Sequence, residues 1–260
     1  MRRLWSLGQI IGVKSVVLSA LAVASTWLCL RFGIAADLPM TLIATAIVFP
    51  LVFSIGTAYK RREKALEEYG SIKAHGRALY FAARDWAPSA DPERAAAIAT
   101  ILGELLRSCR DLFTGATERM AGHEQCIYGE FSRLSRVVER LREGGLSATE
   151  CSRCNQYLSR IMAAFENMKH IYQYRTPRTL RAFSDFFILL LPVLYGPYFA
   201  FEAGKQQSNA VYLVPVLFAL TLVGLSNIQD RLENPFDQIG EDDVTINAEK
   251  FAASLAAGGE

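Results

Sequence analysis

The sequence has almost no net charge. Its 28 lysines and arginines are set against 26 aspartates and glutamates, leaving +2 over 260 residues. No strong field for nucleic acid follows from that balance. The five cysteines, Cys29, Cys109, Cys126, Cys151 and Cys154, are odd in number and scattered, so they do not form a secreted disulfide framework. Reduced thiols facing a cytosol are the simpler reading. There is no glycine-rich nucleotide loop, no Gly-x-Ser-x-Gly elbow and no His-Glu-x-x-His. The three histidines, His75, His123 and His170, lie far apart. An enzyme is therefore not supported. No stretch alternates as a strand should, and no internal repeat is visible.

What the chain does have is apolar length. Hydrophobic residues make up 51% of it, in four blocks: Ile10 to Phe32, Leu38 to Tyr59, Phe183 to Phe201 and Asn209 to Ile228. Each is close to the ~20 residues that cross a bilayer as a helix. The basic start of the first block and its "AVAS" also fit a cleaved signal peptide, but the run continues past any such cut, which argues for an anchor. Short links, 33–37 and 202–208, pair the blocks into two hairpins. Arg2, Arg3, Lys60, Arg61, Arg62, Lys64, Arg175, Arg178 and Arg181 flank the membrane ends on one side. The positive-inside rule then places both termini and the long connection in the cytoplasm, in an inner or plasma membrane.

The expected organisation is a first transmembrane hairpin over 1–59 (helices about 10–32 and 38–59), a helical cytosolic region over 60–182, a second transmembrane hairpin over 183–228 and an acidic cytosolic segment over 229–260. Within the cytosolic region, Asp91-Pro92 signals a helix start, and Ser147 with Glu150 forms a capping box.

Three patterns are candidates for function. His123-x-x-Cys126 and Cys151-x-x-Cys154 offer four zinc-type donors. Both pairs sit in helical stretches, where packing is the ordinary explanation, so no metal is assigned. In the second block Thr45, Phe49 and Phe53 recur every four residues and share a helical face, with Pro50 among them removing a backbone donor. After Phe53 the face reads as small and polar, with Ser54, Gly56 and Thr57. One reading is a lipid-facing or packing stripe with a kink. The other is a pore lining, with rings of phenylalanine that gate by dewetting. The third pattern is "RLENPFDQIGEDD", 231–243, polar and acidic directly after an apolar run. Asp242 and Asp243 suit a cap for the helix that "VTINAEKFAASLAA" predicts.

"TLRAFSDFFILLLPVLYGPYFAF" followed by "VPVLFALTLVGLSNIQDRLENPF" resembles the bestrophin family. The pattern is Leu-Arg-x-Phe before Leu-Leu-Leu-Pro, then a second helix ending in Gly-Leu, then Glu233-Asn234-Pro235-Phe236. "VFSIGTAYKRREKALEEYG" is similar to the family's neck helix as it enters the first cytosolic helix. The resemblance covers both membrane hairpins, and 85–165 matches only in length and helical character. It implies an all-α subunit with four transmembrane helices in a homopentamer, in contact with membrane lipid. A single pore on the fivefold axis would have a neck lined by Thr45, Phe49 and Phe53 and a helix break at Pro50. Chloride or another small anion is the expected permeant ion, with Arg61, Arg62 and Lys64 as cytosolic mouth charges. Some bacterial relatives pass cations, so a cation channel is the alternative within the family, and a non-conducting scaffold or sensor is the alternative outside it.

The chain departs from the family in having Arg61-Arg62-Glu63 where a bulky aromatic run is usual, and in the polarity of Thr45. In animal members a dense acidic cluster after Asn-Pro-Phe forms a calcium clasp. Here Asp237, Glu241, Asp242 and Asp243 are interrupted by Gln238-Ile239-Gly240. Calcium needs six to eight oxygens in a defined arrangement, so no cofactor is required on this reading and calcium is the lesser expectation.

Overall fold

A backbone in lipid must satisfy its own hydrogen bonds, and a helix does so within one segment. The computed structural model describes residues 12–86, 92–115, 120–174, 177–206, 212–238 and 243–257. Among the described residues there are nine helices and no strand. They are α1 (Val13–Phe32), α2 (Met40–Asp85), α3 (Pro92–Thr114), α4 (Met120–Glu143), α5 (Ala148–Gln173), α6 (Arg178–Leu194), α7 (Gly196–Gln206), α8 (Leu213–Glu233) and α9 (Ala248–Ala257). Four stretches are long and apolar enough to cross a membrane: Val13–Phe32, Ile43–Asp85, Thr179–Gly204 and Leu213–Glu233. The Asp91 cap lies outside the described residues.

The chain divides into two compact units. One comprises 1–60 and 176–233, the other 61–175 and 234–260. The segment expected as a separate acidic tail, 229–260, is thus split: its first residues end α8 and the rest joins the second unit. The second apolar block does not stop at Tyr59. Its helix runs on to Asp85, because no further proline follows Pro50 to interrupt it and its glycines, Gly56, Gly70 and Gly76, are tolerated inside the helix.

In the membrane unit α1 packs against α6, α7 and α8. Its core includes Leu18, Leu51, Ile188, Tyr195, Phe199 and Leu222. The third apolar block is two helices rather than one, broken at Tyr195. Pro197 has no N–H to give the carbonyl of Val193, and the Ser25 hydroxyl of α1 donates to that carbonyl instead at 2.7 Å. Gly196 is what permits this approach, since a Cβ there would lie 2.2 Å from Ser25 Oγ.

The second unit is a bundle of amphipathic helices. Ile127, Phe131, Leu134, Val138 and Leu141 repeat at three to four residues along α4 and are all buried. Cys154, Ile161, Phe165 and Met168 do the same on α5. Each such side chain contributes about 1.5–3 kcal/mol by leaving water. Ser147 caps α5, accepting from the Glu150 N–H at 3.2 Å, as the capping box predicts. Phe236 is fully buried and stacks on Phe113 with centroids 4.5 Å apart.

The cap of α9 differs from expectation. Asn247 fills it, accepting from the Lys250 N–H at 2.9 Å. Asp243 lies four residues before that position and Asp242 falls outside the described residues, so the cap role passes from the acidic pair to Asn247. The side-chain amide is the better fit because it stands at the residue where helical dihedrals begin. Replacing Asn247 with alanine is expected to cost about 1 kcal/mol, read as a lowered thermal midpoint of the purified protein.

Candidate functional site

At 100° per residue, α2 has two distinct faces within its apolar span. Ile47, Leu51, Ser54 and Ala58 fall on one face and are buried, each 4% exposed or less. Thr45, Phe49 and Phe53 fall on the opposite face and are exposed, the two phenylalanines at 61% each. Their rings meet edge to face, with centroids 4.6 Å apart. Ser54 does not share the exposed side on which the sequence pattern puts it. Ser54 belongs to the packed face, because it follows Leu51 by three residues, and only Gly56 and Thr57 continue the exposed side. The Thr57 hydroxyl donates to the Phe53 carbonyl at 2.9 Å, so its hydrogen is occupied within the helix. Pro50 sits inside α2 without breaking it. It leaves the carbonyl of Ala46, itself an exposed residue, without a helical donor.

The apolar window of this span is the least buried of the four, 22% against 28–39%. The subunit therefore leaves the phenylalanine side of α2 uncovered, for lipid or for further copies.

Lys60, met in the sequence as a flanking cation, also belongs to this face. Lys60 lies seven residues past Phe53, two turns on, on the same side and exposed. It makes no ion pair among the described residues. Four-residue spacing from Phe53 points to Thr57 and stops there. The signal for Lys60 is the drift from 4 to 3.6 residues per turn.

The other cationic candidates are engaged. Lys64 lies between the carboxylates of Glu67 and Glu68, at 3.0 Å from each. Arg62 pairs with Glu63 at 2.7 Å. Arg61 donates to the Tyr174 carbonyl at 3.5 Å. Glu68 is buried and also accepts from the Asn167 amide at 3.0 Å. Local positive charge is thus matched by local carboxylates. Of the other flanking cations, Arg2, Arg3 and Arg175 and the side chain of Arg178 lie outside the described residues.

In the acidic stretch, Pro235 accepts from the Val244 N–H at 2.7 Å, and the Gln238 amide donates to the Val244 carbonyl at 3.2 Å. These bonds tie Pro235 and Gln238 to Val244. Asp237 and Asp243 are described, and Glu241 and Asp242 are not. Among the described residues no three histidine, cysteine or acidic side chains converge as metal donors.

The cysteine pair has a packing role. Cys151 and Cys154 are buried in the second unit, while Cys126 is exposed. Burial, with lesser contributions from Cys151 and Glu150, pushes the Cys154 thiol up to about 11.

Comparison with known proteins places this geometry in a fold. No protein-family profile and no curated relative matches the sequence. Solved structures do match. A mutant of a bacterial bestrophin homolog from Klebsiella pneumoniae superposes with a TM-score of 0.76 at 19% identity, over 98% of this chain and 99% of that one. A structure of that homolog obtained by zinc phasing gives 0.76 at 18% identity, over 96% and 97%. A further crystal structure, described only as a membrane protein, gives 0.76 at 19% over 98% of each chain. The chain has the bestrophin fold: all α, with four membrane-spanning segments in two hairpins and a helical portion outside them.

Proposed function

We propose that this chain is one subunit of a homopentameric ion channel and that the Thr45-Phe49-Phe53 side of α2 lines the neck of its pore. The observation that carries the proposal is that this side, opposite the packed face, is both aromatic and uncovered. A ring of such side chains makes a constriction that wets reluctantly and passes ions only when it widens. The bestrophin fold supports the reading, and the subunit number follows the resemblance to that family. Both termini lie in the cytoplasm of an inner or plasma membrane on this reading. Permeation makes and breaks no covalent bonds and on this reading requires no cofactor, with calcium at the acidic stretch the lesser alternative.

The permeant species is chloride or another small anion. Lys60 supports it, standing on the neck-lining side at the end of the apolar span with no ion pair among the described residues. Cation permeation is the second reading, favoured by one observation: Glu63, Glu67 and Glu68 match the charge of Arg62 and Lys64. The test is the reversal potential of purified protein in planar bilayers under a chloride gradient. An anion-side reversal is expected. Lys60→Glu is expected to lower the anion-to-cation permeability ratio about tenfold, the equivalent of about 1.4 kcal/mol. A cation-side reversal of the wild type would keep the channel and replace chloride. Absence of current from protein shown to be folded and pentameric would point instead to a scaffold or sensor.

A further inference from the structure

Between α3 and α4, in the second unit, lies a cavity of about 490 Å³ lined by Ala97, Thr100, Ile101, Arg133, Arg136 and Arg140. Three arginines line it and, among the described residues, no carboxylate does. Arg133 is neutralised from outside by Glu104 and by Glu130, the latter at 2.7 Å. Arg136 and Arg140 are exposed and make no ion pair among the described residues. They stand four residues apart on one helix, where like charges repel. Arg140 is in the last turn of α4, where the helix dipole favours a cation. Arg136 is a turn earlier, and the dipole does not account for it.

An adjoining cavity of about 480 Å³ shares Ala97 and Arg140 and is lined also by Glu93, Arg94, Val137, Glu143 and Gly144. Arg94 is held at its rim. Its guanidinium lies so close over Gly144 that a Cβ there would sit 2.2 Å from Nη1. The carboxylates Glu93 and Glu143 confine any anion to the first lobe. In that lobe the Thr100 hydroxyl donates to the Ala96 carbonyl at 2.9 Å, so the available donors are guanidinium groups.

We propose that this cavity binds a phosphate-bearing small molecule, with the phosphate held by Arg136 and Arg140 and steadied by Arg133. A guanidinium fork matches a phosphate edge with two parallel hydrogen bonds. The concave shape and volume belong to the range of small-ligand sites, roughly 300–1,000 Å³, and not to a flat protein interface. The apolar floor of Ala97 and Ile101 strengthens the charge interaction by excluding water from one side. The site is independent of the channel reading, since it rests only on the second unit.

The experiment is calorimetric titration of the full-length protein in phosphatidylcholine nanodiscs with pyrophosphate. Saturable binding is expected, weakened by salt, and about tenfold weaker in Arg136→Gln/Arg140→Gln, which loses both charge-assisted contacts. Nanodiscs containing phosphatidic acid separate the two sources of phosphate. A fall in pyrophosphate affinity there identifies a lipid headgroup as the resident ligand, and an unchanged affinity identifies a soluble one. No saturable binding by the wild type, or equal binding by the variant, overturns the proposal. So does a changed oligomer size in the variant by light scattering, which would mean that the arginines seat a second copy of the chain.

Discussion

Phe49→Ala/Phe53→Ala is expected to carry about tenfold more current than the wild type under the same chloride gradient, a barrier lowered by about 1.4 kcal/mol. The benzyl groups narrow the neck and repel water from it, and methyl groups do neither. Folding should hardly notice. Both side chains are 61% exposed on the subunit, so their removal opens no cavity in its core. The ring contact that is lost is worth about 0.5–1.5 kcal/mol. The control is Leu189→Ala, whose side chain is 56% exposed on α6, away from the neck stripe. It should leave current unchanged. Equal currents from all three proteins would return the stripe to the lipid and remove the basis of the pore assignment. Raised current in the double variant alone would separate a pore lining from a merely greasy surface, a distinction that exposure by itself does not make.

Much of this architecture is legible in the sequence because the bilayer imposes it. Four apolar blocks of suitable length, two short links and basic flanks suffice for the hairpins. The phenylalanine stripe is legible for a similar reason, since a 3.6-residue period needs no tertiary information. What escapes the sequence are features settled by distant partners. The break at Tyr195 lies inside an unbroken apolar run, and hydropathy passes over it. It becomes intelligible only with Ser25, 168 residues away, donating to the carbonyl that Pro197 cannot serve. The side of Ser54 is misread because polarity suggests water, whereas its angular position follows Leu51. Asn247 is overlooked as a cap because the acidic residues before it are the louder signal. The cavity at Arg136 and Arg140 has no signal in the sequence, because half of its lining comes from α3.

Arg181→Met is expected to destabilise the protein by about 3–5 kcal/mol, while Glu233→Met costs far less. The asymmetry follows from burial. The Glu233 side chain is 5% exposed and that of Arg181 is 42% exposed, with 2.5 Å between their charged atoms. Without the guanidinium, a carboxylate is left buried and unpaired. Without the carboxylate, Arg181 turns to water and keeps Asp230 at 2.7 Å, a half-exposed pair worth less than about 1 kcal/mol. Neither charge is where its own helix would put it. Arg181 is near the N-terminus of α6 and Glu233 at the C-terminus of α8, each facing the like end of the helix dipole. Local preference is overridden by pairing across the two helices, which fixes the start of one against the end of the other just before Asn234-Pro235-Phe236. Thermal unfolding in detergent, followed by circular dichroism, is the readout. The double variant Arg181→Met/Glu233→Met should recover close to wild-type stability, since an apolar pair of similar volume replaces the ions without stranding a charge. Equal losses from the two single variants, or no recovery in the double, would mean that Glu233 reaches water in the membrane-embedded protein and that this pair does not lock α6 to α8.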